Sequence, residues 1–83
     1  LAYKIAFKSS VWKDLRNIDR KEAEKILGHI ETDLSENPNI YPALSGKFAG
    51  LRKYRVGDYR IIFSLIGDAV LILRIRHRRE VYK

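Results

Sequence analysis

The 83-residue chain contains no cysteine. That excludes a disulfide framework, a thiolate nucleophile and any zinc or iron–sulfur centre built on thiolates, and it suits a reducing cytoplasm. Long hydrophobic runs are lacking too. The longest apolar stretches, 61–66 and 69–73, are interrupted by Ser64 and by Gly67-Asp68, well short of the roughly 20 residues of a membrane span. The first residues carry neither the basic segment nor the apolar run of a signal peptide, so the expected location is the cytoplasm, away from membranes. Acidic side chains are scarce in one half only. Residues 1–45 hold 7 basic and 7 acidic groups, whereas residues 46–83 hold 10 basic groups against Asp58, Asp68 and Glu80, so the whole net charge of +7 falls there. A one-sided field of this kind attracts a polyanion. With 46% hydrophobic residues the chain is too apolar for a disordered basic tail, and its length suits one domain, residues 1–83.

Periodicity supplies the architecture. Tyr3, Ile5 and Phe7 alternate as in a strand with one buried face. Ser9-Ser10 can supply a helix cap before Val11, Trp12, Leu15 and Ile18, which recur at helical spacing. Asp19 with Glu22 three residues later reads as a capping box, and Ala23, Ile26, Leu27, Ile30 and Leu34 form the apolar stripe of a second helix running to about Glu36. Asn37-Pro38-Asn39 ends it and opens a long loop. Three β-rich runs follow, 51–56, 59–66 and 69–76, joined by Gly57-Asp58 and Gly67-Asp68, which suit hairpin turns. The expected fold is α+β in the order β-α-α-β-β-β, with two N-terminal helices packed on one face of a mostly antiparallel four-stranded sheet.

Strand alternation assigns the charges to faces. Lys53 and Arg55 share one face of the second strand, with Arg52 and Tyr54 on the other. In the last strand Val70, Ile72, Arg74, Arg76 and Arg78 are expected on one face and Leu71, Leu73, Ile75 and His77 on the opposite one. Such a patch, with Tyr54, Tyr59 and Tyr82 nearby, can hold phosphates and stack bases. Lysine and arginine on exposed sheet faces also serve solubility, but ordinary surfaces intersperse both signs. Asp58 and Asp68 read as turn formers, and His29 and His77 have no metal-ligand spacing. No cofactor or metal is expected. RNA brings its own nucleophile, the 2′-hydroxyl, so cleavage requires only alignment, charge stabilisation at the phosphate and proton transfer, work for which Lys, Arg, Tyr and His suffice.

Tyr54-Arg55-Val56-Gly57-Asp58-Tyr59-Arg60-Ile61-Ile62-Phe63, the hairpin Gly67-Asp68-Ala69-Val70 and the ending His77-Arg78-Arg79-Glu80-Val81-Tyr82 resemble the hallmark segments of the RelE/ParE superfamily of type II toxins, RelE-like branch. Phe7-Lys8-Ser9, the helical pair and Leu44-Ser45-Gly46 extend the resemblance over nearly the whole chain. It implies a toxin held inactive by an acidic, RelB-like antitoxin. RelE-type members cut mRNA in the ribosomal A site without a metal, leaving a 2′,3′-cyclic phosphate; ParE-type members inhibit DNA gyrase, the alternative function. Carried over, Lys53 and Arg60 take the phosphate, Arg78 or Arg79 the leaving oxygen or its charge, and Tyr82 the 2′-hydroxyl proton, with His77 a rival acid or base. A phenol with an ordinary pKa of about 10 needs neighbouring cations to act as a base at neutral pH, and Arg76, Arg78 and Arg79 could supply them. Lys47, Arg52, Arg55, Arg74, Arg76, His77 and Arg79 are assigned to RNA or ribosome binding. Some ribosome-dependent relatives have a further lysine where this chain has Leu51.

Overall fold

The computed structural model describes residues 2–79, in the order β1 (Lys4–Phe7), α1 (Ser9–Arg16), α2 (Arg20–His29), β2 (Leu51–Val56), β3 (Tyr59–Ile66) and β4 (Ala69–His77). The strands form one mixed sheet in the order β1-β4-β3-β2, in which β2, β3 and β4 run antiparallel and β1 lies parallel to β4. Val11, Ile26, Ile30 and Leu34 from the helical half are buried against Tyr54, Val56, Ile61, Phe63, Val70, Ile72 and Ile75 of the sheet. Among the described residues no helix is long and apolar enough to cross a membrane. Both hairpins are as tight as the Gly-Asp pairs imply. Positive φ falls on Gly57 (57°) and Gly67 (60°), the first central residue of each turn, as type II′ geometry requires.

The first helix starts differently from expectation. Ser9 and Ser10 lie inside α1, whose N-cap is Lys8 with no side-chain capping bond. The reason is the edge of β4. Pairing with β1 ends at Phe7 and Ile72, and the rest of that edge needs other partners. They come from the chain just after β1: Lys8 N–H donates to the Ile72 carbonyl at 2.9 Å, Ser10 Oγ donates to the Leu73 carbonyl at 2.9 Å, and the Asp14 carboxylate accepts the Ile75 N–H at 2.9 Å. Thus α1 continues the ladder with side chains.

Asp19 does cap α2, accepting from the Lys21 N–H at 3.2 Å. After His29 the helix widens into a π turn, Ile30–Leu34. In an α-helix, residues four apart drift by about 40° around the axis; a wider turn reduces that drift. Ile26, Ile30 and Leu34 consequently all face the sheet and are fully buried. The loop that follows contains two short 3-10 turns, Pro38–Ile40 and Gly46–Phe48. It covers the first half of the β2 edge through a bridge between Ala43 and Arg52 and the bonds Leu44 N–H to Leu51 O (2.8 Å) and Lys53 N–H to Pro42 O (3.1 Å).

One register shift corrects the expected faces of β4. Ile62 pairs with Arg74 but Phe63 pairs with Ile72, so Leu73 is an extra residue, a β-bulge. An extra residue reverses the alternation beyond it. Ile75 and His77 therefore share the helix side with Val70 and Ile72, while Arg74 and Arg76 share the open face with Leu71, so the two arginines do not follow Val70 and Ile72 as simple alternation requires.

Candidate functional site

The open face of the sheet carries the cations in rows. Arg55 on β2 pairs with Arg60 on β3, and Arg60 pairs with Arg76 on β4, so three guanidinium-bearing residues lie abreast. The adjacent row is Lys53, Ile62 and Arg74, and the next includes Leu51, Ser64 and Leu71. Like charges directly opposite one another destabilise a sheet, so this row is costly to folding unless it faces an anion.

A cleft of about 360 Å³ opens at the β2 edge, just past the point where Pro42 stops covering it. Its lining joins Lys53, Arg55 and Arg60 to Tyr41, Pro42 and Tyr54. A larger hollow of about 600 Å³ lies elsewhere, among Tyr3, Ile5, Phe7, Trp12, Leu27, Ile30, Glu31 and Ser35. It has no cationic lining and so nothing to hold a phosphate. The smaller cleft is the candidate site because its size falls at the lower end of ligand sites, roughly 300–1,000 Å³, and its cations converge on one space.

The other basic residues take varied positions. Arg74 is gripped by Asp14: its Nε and one Nη donate to the two carboxylate oxygens at 2.9 Å each, tying β4 to α1. Burial disfavours ionisation of Asp14, but the hydrogen bonds from Arg74 and the Ile75 N–H and the charges of Arg74 and Arg76 outweigh it and hold the carboxyl below its ordinary pKa. Arg52 lies on the helix side and donates to the Tyr41 (2.7 Å) and Asn39 (3.2 Å) carbonyls, fastening the loop. Lys47 sits in the second 3-10 turn with its ammonium 5.4 Å from the centre of the Phe48 ring.

At the far end of β4 the Arg78 N–H donates to the Asp58 carbonyl at 2.8 Å, and its guanidinium stands 4.0 Å from the Asp58 carboxylate, both side chains more than half exposed. So loose and wet a pair contributes little, which leaves Arg78 able to turn toward a phosphate. His77 stands on the opposite face from Arg60 and Arg76, its ring edge-on to Tyr59 at 5.3 Å, and its Nδ1 accepts the exposed Arg79 N–H at 3.2 Å. Its Nδ1 lone pair is thereby engaged, and the ring does not share the cation row. Tyr82 lies outside the described residues.

Three contributors carried no strong sequence signal. Asp14 is one helix-surface acid among several, and its place on the β4 edge depends on the end of β1. Tyr41 and Pro42 belong to the loop, marked only as an X–Pro pair ahead of β2. Tyr54, also in the lining, is anchored rather than reactive: its hydroxyl donates to the Asp33 carboxylate and lies 3.4 Å from the His29 carbonyl at the start of the π turn. Burial, the bond to Asp33 and the charge of Asp33 push its pKa far above that of an ordinary phenol. Among the described residues no group of three or more histidines, cysteines or acids could hold a metal ion.

Comparison with known proteins places this arrangement. The family described as ParE toxin of type II toxin-antitoxin system matches residues 5–82. Toxin RelE3 of Methanocaldococcus jannaschii is 30% identical, across 95% of this chain and 94% of that protein. Among solved structures, the toxin-antitoxin complex RelBE2 of Mycobacterium tuberculosis contains a chain with a TM-score of 0.88 and 26% identity, covering 94% of this chain and 100% of that one. The RelB-RelE complex of Methanococcus jannaschii gives 0.64 at 26% identity, covering 93% and 94%. With its helical pair, mixed four-stranded sheet and basic open face, the chain belongs to the RelE/ParE superfamily and is a RelE-like toxin of a type II toxin-antitoxin system.

Proposed function

We propose that the toxin is a ribosome-dependent endoribonuclease that cuts translated mRNA. The observation that carries this reading is the convergence of Lys53 and Arg60 on one cleft, flanked by Arg55 and with Arg76 next in the row. In the reaction the 2′-oxygen attacks the adjacent phosphorus, the bond to the 5′-oxygen breaks, and a 2′,3′-cyclic phosphate and a 5′-hydroxyl end result. Lys53 and Arg60 hold the non-bridging oxygens, whose charge grows in the transition state. Tyr82, as phenolate, accepts the proton of the 2′-hydroxyl, and Arg78 steadies the leaving 5′-oxygen, which takes up a proton from water. The ribosome supplies the alignment that so shallow a cleft does not, and the remaining cations engage its RNA. The partner at rest is an acidic RelB-like antitoxin lying across the basic face; related toxin chains were crystallised in complexes with RelB.

The description of the matching family as ParE toxin favours a second reading, inhibition of DNA gyrase, in which the same cations only bind. Inducing the toxin in cells and mapping mRNA ends separates the two. Cuts within translated codons are expected. Intact mRNA accompanied by DNA damage overturns the nuclease reading.

A further inference from the structure

The cleft that holds Lys53 and Arg60 is lined by two unlike groups. One is cationic and comes from the open face; the other, Tyr41 with Pro42, forms a wall at the β2 edge, where Tyr41 packs against Tyr54 and Phe63 of the helix side. This wall is held rigidly. Proline keeps the residue before it extended, and Tyr41 has φ −86° and ψ 142°. Its carbonyl accepts the Arg52 guanidinium at 2.7 Å. Its ring is braced edge-on by Tyr54 at 4.8 Å and by Phe63 at 6.5 Å, yet Tyr41 remains partly exposed on the cleft side. A rigid aromatic surface beside a cluster of phosphate-binding cations is the pairing that single-stranded nucleic acid recognises, because every base has a flat face and every linkage a charge.

The geometry points to Tyr41 and Pro42 as a base-binding wall: with a phosphate of a single-stranded RNA on Lys53 and Arg60, the neighbouring base lies against the Tyr41 ring. Tyr41 is then a positioning residue that sets which nucleotide stands beside the phosphate. The inference rests on the nuclease reading for its biological meaning, but the contact itself is a binding event. In a cleft open on one side the ring gives preference among bases by stacking strength, not by hydrogen-bond readout.

The test is an NMR titration of the full chain, without ribosomes, with a ribotrinucleotide and with a trinucleotide of the same charge whose central base has been removed. The wild-type protein is expected to bind the base-bearing form about tenfold more tightly. Tyr41→Leu, which keeps apolar bulk against Tyr54 and Phe63 but removes the flat face, is expected to abolish that difference while still binding the abasic form. Equal binding of both forms by the wild-type protein overturns the inference, whether or not the variant folds. So does a Tyr41→Leu protein that weakens both forms alike, since that is a structural effect. Neither result bears on mRNA cutting in cells, whose absence overturns the nuclease reading instead.

Discussion

Asp14 on α1 and Arg74 on β4 form a two-pronged ion pair in which the same carboxylate also accepts the Ile75 backbone N–H. The Asp14 side chain is only 9% exposed, whereas Arg74 retains 43%. The pair closes the ladder where β1 ends, so its first duty is to the fold. Asp14→Ala is expected to cost about 1.5–3 kcal/mol, the range for hydrogen bonds to charged groups, with the Ile75 N–H left without its acceptor. A urea melt at neutral pH checks this, and a variant as stable as wild type would show the pair to be superficial.

The same carboxylate sets an acid limit. Its folded pKa is lowered, so its contribution is fully present above the unfolded value of about 3.9 and is lost as pH falls through the folded one. Melts between pH 5 and 2 are therefore expected to show a steeper decline for wild type than for Asp14→Ala, by up to about 1.4 kcal/mol per pH unit for one proton. Parallel declines would mean that Asp14 titrates alike in both states.

Tyr54 imposes an alkaline limit. Burial, then the bond to Asp33, raise its folded pKa above the unfolded value of 10.0. Its stabilisation is complete below pH 10 and drains away as pH rises beyond it, because the unfolded phenol ionises first. Tyr54→Phe removes this dependence together with the hydroxyl that meets Asp33 and the His29 carbonyl. The variant is expected to be less stable at pH 7 and to lose less between pH 9 and 11. Tyr41, raised by burial and by Asp33, adds a smaller slope of the same sign in both proteins.

Hairpins, helices and their order were legible from short-range chemistry. Gly57-Asp58 and Gly67-Asp68 could hardly serve anything but two-residue turns, and Asp19 marked the start of α2. The rest depended on contacts remote in sequence. Ser10 could have capped a helix; it bonds to Leu73 instead because β1 stops short. The bulge at Leu73 was hidden because 71–73 is Leu-Ile-Leu, with no glycine or polar break to mark a doubled position. Alternation counted correctly on β2, where no residue is extra, and so Lys53 and Arg55 were placed on their true face. Within the site, Lys53 and Arg60 could be named from a motif, whereas Tyr41 and Pro42 beside them come from a loop folded back along the β2 edge.

Removing either cation proposed to hold the phosphate should separate activity from stability. Lys53→Ala and Arg60→Ala are expected to lower the rate of mRNA cutting on programmed ribosomes by roughly 10²–10³-fold, the usual loss for a transition-state donor. Folding should persist, as circular dichroism would record. Conversely, Leu51 lies on the same face two residues before Lys53, so Leu51→Lys should raise the rate; an unchanged rate would place position 51 beyond reach of the phosphate.

Salt should weaken ribosome binding. Each phosphate neutralised is expected to contribute about 0.7–0.9 to the slope of log affinity against log salt. Replacing Arg55 should reduce the slope by nearly one such unit. A response that is flat with salt would dissociate the arginine row from nucleic acid.

The extra residue at Leu73 is one that β4 can lose without changing its pairing. Deleting Leu73 would make Ile72 and Arg74 neighbours, still opposite Phe63 and Ile62, so Arg74 and Arg76 keep the open face and Ile75 and His77 the helix side. What the bulge adds is a local bend and a stronger twist of the strand, not the side on which its charges fall. In this toxin the extra residue therefore shapes the sheet beneath the arginine row, while the regular alternation on either side of it places the cations.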